Sequence, residues 1–129
     1  MATLEKLVYW RQRCAKYRAS PKAKIGSLLR VAERRSKKNK WEFDLTKEWL
    51  SAKILNGSCE ISNIPFDYVK THKSHFNPFN PSIDRIDSTK GYTQDNCRIV
   101  LACINMGIGE WGLDTYLDVA AKAIAHQKK

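Results

Sequence analysis

Apolar side chains recur at helical spacing in several stretches of this chain, and each stretch opens or closes on a residue with a physical reason to be there. Between Thr3 and about Arg18, Leu4, Leu7, Val8, Cys14 and Tyr17 fall near a 3.6-residue period, with Arg11, Arg13, Lys16 and Arg18 between them. That pattern predicts a basic amphipathic helix. Ser20-Pro21 has the order of an N-cap followed by a first-turn proline, so a second helix is expected in which Ile25, Leu28, Leu29 and Ala32 share a face. Its far end, "RRSKKNK", is basic and expected to be exposed. "WEFDLT" alternates Trp41, Phe43 and Leu45 against Glu42 and Asp44, the pattern of a short extended segment. Thr46 then caps a third helix running to Leu55, which Asn56-Gly57 ends in a left-handed turn. After a break at Gly107 and Gly109, residues 113–126 read as a last helix that buries Leu117, Ala120, Ala121 and Ile124.

Between these helices the period shortens. "SCEISNIPFDYV" reads as a small hairpin turning near Ser62-Asn63, and "KTHKSHFNPFNP", with two prolines and no period, as a loop. Residues 82–87 and 97–101 are expected to be strands separated by "STKGYTQDN", with a helix beginning near Ala102 that carries Asn105 on its first turn. Gly91 is expected to need a positive φ in that connection, Tyr92 to pack, and Trp111 and Tyr116 to lie in the core rather than serve as base-stacking platforms. There is no internal repeat, low-complexity tract or heptad pattern. The expected fold class is α+β in one domain, residues 1–129: a mostly helical basic region over 1–57, a core over 58–112 and a C-terminal helix over 113–129.

Composition supports a compact fold, since 129 residues with 43% hydrophobic content can bury enough surface without disulfides or a structural metal. Cys14, Cys59, Cys97 and Cys103 form no C-x-x-C pair, so no structural zinc is expected and the thiols read as free and mostly buried. No run approaches the about 18 consecutive apolar residues of a membrane span, and "MATLEKLVYWRQR" lacks the apolar core of a signal peptide. A cytoplasmic protein with no membrane contact is expected.

The net charge of +10 is informative through its placement. Residues 1–40 hold 13 of the 23 lysines and arginines against two acidic residues, Glu5 and Glu33, whereas the remaining 89 residues are close to neutral. A basic segment on a neutral body suits a polyanion such as nucleic acid. Arg30, Arg34, Arg35, Lys37, Lys38 and Lys40 crowd one helix end, where phosphate contacts would release counterions without reading sequence.

The densest polar chemistry lies in "PSIDRIDSTKGYTQDNCRIVLACIN". Magnesium takes hard oxygen ligands and needs only one or two from a protein. Asp84 at a strand end and Asn105 on the following helix meet that need if the strands pair and the helix folds back across them. The elements "SIDRID", "KGY", "DNCRIV" and "CIN", in this order, resemble the HNH or His-Me finger (ββα-metal) endonucleases. "GSCEISNIPFD" is similar to the small hairpin that precedes the motif in small phage-type members, and "LLRVAERRSKKNKWEFDLTKEWL" to their helical leader. The resemblance spans roughly residues 25–112. It implies a magnesium- or manganese-dependent endonuclease hydrolysing phosphodiester bonds of nucleic acid, expected to be double-stranded DNA, in a bacterial or phage-infected cell.

Carried over by position, the resemblance makes Asp84 the first metal ligand, Asn105 the helix-borne ligand and Asn96 a brace for the connection between the strands. The departure is Arg85, which stands where the family has its water-activating histidine. A guanidinium cannot act as a base at neutral pH, but it can pair with phosphate, as can Arg98 on the facing strand. The proton acceptor is then Asp87, expected on the strand face of Arg85, or His75 or His72 in the preceding loop, or no side chain of this site. Plainer readings stand beside these. Asp84 and Asp87 would also serve to pair with Arg85 and Arg98 across a hairpin, and Asn105 to cap or end a helix. A catalytically impaired relative acting as a nucleic-acid-binding or host-enzyme-inhibiting module is the alternative function.

Overall fold

The computed structural model describes residues 3–9, 12, 20–55, 57–68 and 77–128. Residues 4–9 are helical, with Leu4, Leu7 and Val8 exposed; the rest of the first expected helix lies outside the described residues. Helix α1, Pro21–Asn39, starts where Ser20 Oγ accepts the Ala23 N–H at 3.2 Å and Pro21 occupies a position whose N–H would have had no helical partner. Ile25, Ala32 and Ser36 are its buried stripe. It ends at Lys40, in the left-handed region at φ 56, with the Lys40 N–H donating to the Ser36 carbonyl. Helix α2, Lys47–Ile54, is capped by Thr46 Oγ1, which accepts the Trp49 N–H at 3.1 Å, and buries Leu50 and Ile54. The expected left-handed stop at Asn56-Gly57 does not form at Gly57, whose φ is not positive; the helix leaves through an extended Leu55. Asn56 lies outside the described residues.

Strands β1 (Pro81–Arg85) and β2 (Cys97–Leu101) pair antiparallel, with Ile83 opposite Ile99 and Asp84 opposite Arg98. The first strand therefore stops two residues before its expected end. Ile86 N–H still donates to the Asn96 carbonyl at 2.7 Å, but the Ile86 side chain is exposed, and Asp87 belongs to the connection rather than to the strand face of Arg85. This is why Ile83 and Ile86 fail to alternate. Period 2 then sorts the sheet. Ile83, Cys97 and Ile99 face α1 and α2, joining Ile25, Leu50, Ile54, Ala32 and Leu45. Val100 faces the other way, joining Ile104 and Ile108 of the helix that follows.

The stretch 58–65 is not a true hairpin. One bridge, Ser58 to Pro65, closes a tight turn in which Asn63 is left-handed at φ 60 and donates its N–H to Cys59 O. A proline and a left-handed residue leave too few donors and too little extended chain for a ladder. The turn covers the outer edge of β2 instead. Glu60 N–H donates to Ile99 O at 3.0 Å, the Glu60 carboxylate accepts the Ile99 N–H, and Cys59 Sγ accepts the Leu101 N–H. An edge that would otherwise expose unpaired backbone is closed in this way.

Helix α3, Ala102–Ile108, follows β2 without a loop and includes Gly107; Gly109, at φ +52, ends it. Helix α4, Leu113–Gln127, overturns the expectation of a buried face: none of its residues is buried, and Leu117 and Ile124 are 46% and 55% exposed. Only Leu113 and Tyr116, near its start, pack on the core. Helical period shows which residues share a face, but not whether another element covers that face. Trp111 also departs from expectation, being 74% exposed rather than core. Among the described residues no helix is long and apolar enough to cross a membrane.

Tyr68 carries a testable strain on this packing. Its ring lies against the Ile25, Leu50, Ile54 and Ile99 cluster, and its buried hydroxyl has no hydrogen-bond partner among the described residues. Burial pushes its pKa up to about 12. Because the hydroxyl is desolvated without compensation, Tyr68→Phe is expected to raise stability by about 1 kcal/mol. A urea midpoint that moves upward with an unchanged slope is the confirming result; a fall would mean that the hydroxyl has a partner.

Candidate active site

The β1–β2 pairing and the short step into α3 bring side chains of β1, of the connection between the strands and of α3 to one opening. Ile83, Asp84, Arg85, Ser88, Tyr92, Asn105 and Gly109 line a cavity of about 130 Å³. Asp84 is placed by register: it is buried, faces Arg98 across the ladder, and its Oδ2 accepts from Arg98 Nε at 2.7 Å. Its other oxygen has no hydrogen bond among the described residues. Asn105 is placed by α3, one turn after the strand. Its amide nitrogen donates to Ser82 Oγ at 2.7 Å and to Ile83 O at 3.2 Å, fixing the side chain across β1 and leaving its carbonyl oxygen as the unused acceptor. The plainer reading of Asp84, a cross-strand ion pair with Arg98, thus coexists with its position in the cavity.

Arg85 is held on three sides. Its guanidinium lies 3.9 Å from the centre of the Trp41 ring and 5.4 Å from that of Tyr92, and Nη1 donates to Ser88 O at 3.0 Å and Lys90 O at 2.8 Å. With both Nη1 hydrogens used, the Nε and Nη2 edge is the fork available to an anion. In the sequence Trp41 shows only as part of an alternating stretch. Its role as a platform depends on a contact across 44 positions of chain, which no local pattern signals. Tyr92 packs as expected, at an edge-to-face 6.0 Å from Trp41, and its hydroxyl also accepts from Arg35 Nη1 at 3.3 Å. Arg35 thereby ties α1 to the cavity wall.

Asn96 spans the connection between the strands. Its Oδ1 accepts the Asp87 N–H at 2.9 Å, while Nδ2 donates to Asp87 O at 3.1 Å and Gly91 O at 2.8 Å. Gly91 is required for a different reason from the one expected. Its φ is not positive; a Cβ there would collide with the Glu42 carbonyl oxygen, because the connection runs against 41–44 with Tyr92 N–H donating to Glu42 O and Asp44 N–H to Tyr92 O. Asp87 turns away from the cavity lining. Its Oδ1 accepts from the Thr89 hydroxyl at 2.6 Å and the Thr89 N–H at 2.9 Å, and these bonds, the hydroxyl first, hold its pKa below the usual carboxylate value. Both facts weaken it as a base. His72 and His75 lie outside the described residues. Cys97 is buried beside this region, and burial pushes its thiol up to about 12, so it is inert at neutral pH.

The oxygen donors that Asp84 and Asn105 leave free fit one hard divalent ion that keeps most of its waters. No cluster of three or more His, Cys, Asp and Glu side chains suited to a metal forms among the described residues. Away from the cavity, Arg30, Arg34 and Lys37 line a second, open depression with Glu33, which pairs with Lys37 at 3.6 Å. Lys38 and Lys40 are exposed on the same helix end.

A two-stranded antiparallel hairpin backed by a helix, with flanking helices, defines the architecture. In this respect the chain is similar to the solved structure of the rare-cutting HNH restriction endonuclease PacI, with a TM-score of 0.54 at 16% identity over 80% of this chain and 78% of that one. The likeness is one of fold. No protein-family model matches the chain, and no curated protein matches it in sequence.

Proposed function

We propose that this protein is an HNH-like, divalent-metal-dependent endonuclease that hydrolyses phosphodiester bonds of DNA. The observation that carries the reading is the meeting of Asp84, Arg85 and Asn105 at one cavity where the hairpin meets α3. The fold shared with a restriction endonuclease and the basic face of α1 support it. A magnesium or manganese ion held by Asp84 and Asn105 would act as a Lewis acid on a phosphate oxygen and stabilise the leaving oxygen. The protein's own groups do the rest. The Nε and Nη2 edge of Arg85 takes the phosphate, and the Trp41 face and two carbonyls hold that edge in place before substrate arrives. Arg98 holds Asp84 aligned. Arg30, Arg34, Arg35, Lys37, Lys38 and Lys40 carry the phosphates outside the cavity, which makes affinity steeply salt dependent. With Arg85 protonated and Asp87 engaged with Thr89, the remaining candidates for the water's proton are His72 or His75, or no side chain of this site.

One observation favours a second reading. Arg85 is fully seated on Trp41 and two carbonyls at the position where the resembled family has its base, as suits a nucleic-acid-binding or host-enzyme-inhibiting module that does no chemistry. Incubation of supercoiled plasmid with magnesium, manganese or chelator separates the two. Nicking that needs the metal and stops with chelator is expected. Salt-sensitive binding that ignores chelator, with no nicking under any condition, would establish the second reading instead.

A further inference from the structure

Trp111 is 74% exposed and lies two residues beyond Gly109, which lines the cavity. Gly109 links the two. It lines the cavity with Asp84, Arg85 and Asn105, and a Cβ on it would lie 3.8 Å from Trp111 Cδ1. The carbonyl of Met106 is 3.9 Å from the same point, and the Met106 side chain is 71% exposed. The turn that presents the ring is built rather than loose. Gly109 at φ +52 and Gly112 at φ +90 bracket it, and Trp111 N–H donates to Ile108 O at 3.1 Å. Positive φ at both ends lets the chain reverse between α3 and α4 in so few residues, and the reversal points the indole outward rather than into the core. A tryptophan this exposed is unusual, because its large apolar face is ordinarily buried or covered by a partner.

We propose that Trp111 is a stacking platform for an unpaired nucleobase of the bound nucleic acid, set next to the cavity that holds the phosphodiester; this rests on the nuclease reading above. The occupant follows from continuity. A strand that runs from Arg85 past Gly109 meets the exposed Glu110 and the flat face of Trp111, and of these two only the aromatic face attracts a nucleotide. Such a face accepts any base, so it holds the strand without reading its sequence. The basic residues of α1, on their separate depression, supply the electrostatic part of binding.

The test uses equilibrium binding of the full chain in chelator, with a labelled single-stranded oligonucleotide and an abasic oligonucleotide of the same length and charge. Trp111→Ala is expected to bind the base-bearing strand about tenfold more weakly, and Trp111→Phe within about threefold of wild type. On the abasic strand all three should bind alike, with one common salt slope, because stacking releases no counterions. An alanine variant that binds the base-bearing strand as wild type does overturns the proposal. So does an equal loss on both strands, which would place the effect on the backbone or the fold. A change in oligomeric state by light scattering, with base-bearing affinity kept, would assign the ring to a protein contact instead. If the wild type binds neither strand this proposal fails, whereas the nuclease reading stands or falls on metal-dependent nicking of the plasmid.

Discussion

Asp84→Asn is expected to reduce metal-dependent plasmid nicking by at least about a hundredfold, the scale on which a single preorganised electrostatic contact at a reacting phosphate acts. The substitution keeps the shape of the side chain and removes its charge. Two consequences follow from the geometry. The cavity loses its anionic oxygen donor, and the Arg98 guanidinium, whose side chain is only 17% exposed, loses the negative charge it faces at 2.7 Å and keeps at most a neutral acceptor. A guanidinium left without its counter-charge in such a place costs on the order of 3 kcal/mol, so the variant should also unfold at lower temperature. Loss of activity alone would therefore not distinguish a ligand from a structural residue. The double variant Asp84→Asn, Arg98→Met separates them, since replacing both members of a desolvated pair by neutral groups is often close to neutral in stability. It is expected to recover most of the melting temperature and none of the nicking. Recovery of both would mean that Asp84 matters only as the partner of Arg98.

Asn96→Ala is expected to destabilise the protein by about 3 kcal/mol. Three hydrogen bonds disappear from a buried side chain, and the Asp87 N–H, Asp87 O and Gly91 O are left without it. The effect should spread to the cavity, because Arg85 holds Ser88 O and Lys90 O in the same connection. Nicking is expected to fall while the salt dependence of DNA binding largely stays, since of the α1 cations only Arg35, through Tyr92, touches this turn among the described residues. Asn96→Asp makes a useful comparison. It keeps an acceptor for the Asp87 N–H but loses both donors, so its urea midpoint should fall between those of wild type and alanine. Hydrogen exchange over residues 87–96 should rise in both. An alanine variant with an unchanged midpoint and unchanged exchange would show that the turn is held by its backbone bonds and by Gly91 packing alone.

Much of this site was legible because its logic is local. Ser20-Pro21 and Thr46 announce helix starts through side chains that reach only three residues ahead, and both caps are present. The second strand is bounded as its run of residues suggests, and Asn105 follows it on the next helix turn. The errors have a common origin in contacts that join distant parts of the chain. Asp87 lies on a turn because the pairing ends at Arg85, which is decided by Asn96 binding back across the connection. Gly91 is needed for its lack of a Cβ against Glu42, not for its φ, because residues 41–44 pass beside it. No window around position 91 contains that neighbour.

By itself the sequence determined the helix starts, the α+β order of elements, the placement of positive charge at the head of the chain and the identity of the polar groups between Pro81 and Asn105, because capping, period and composition act within a few residues. It took the packed chain to settle that Arg98 pairs with Asp84, that Trp41 and Tyr92 flank Arg85, that α4 keeps its apolar face uncovered and that Trp111 is exposed. Each of these depends on which surfaces the packed chain brings opposite one another. Side-chain chemistry is written residue by residue, but burial and partnership belong to the assembled whole.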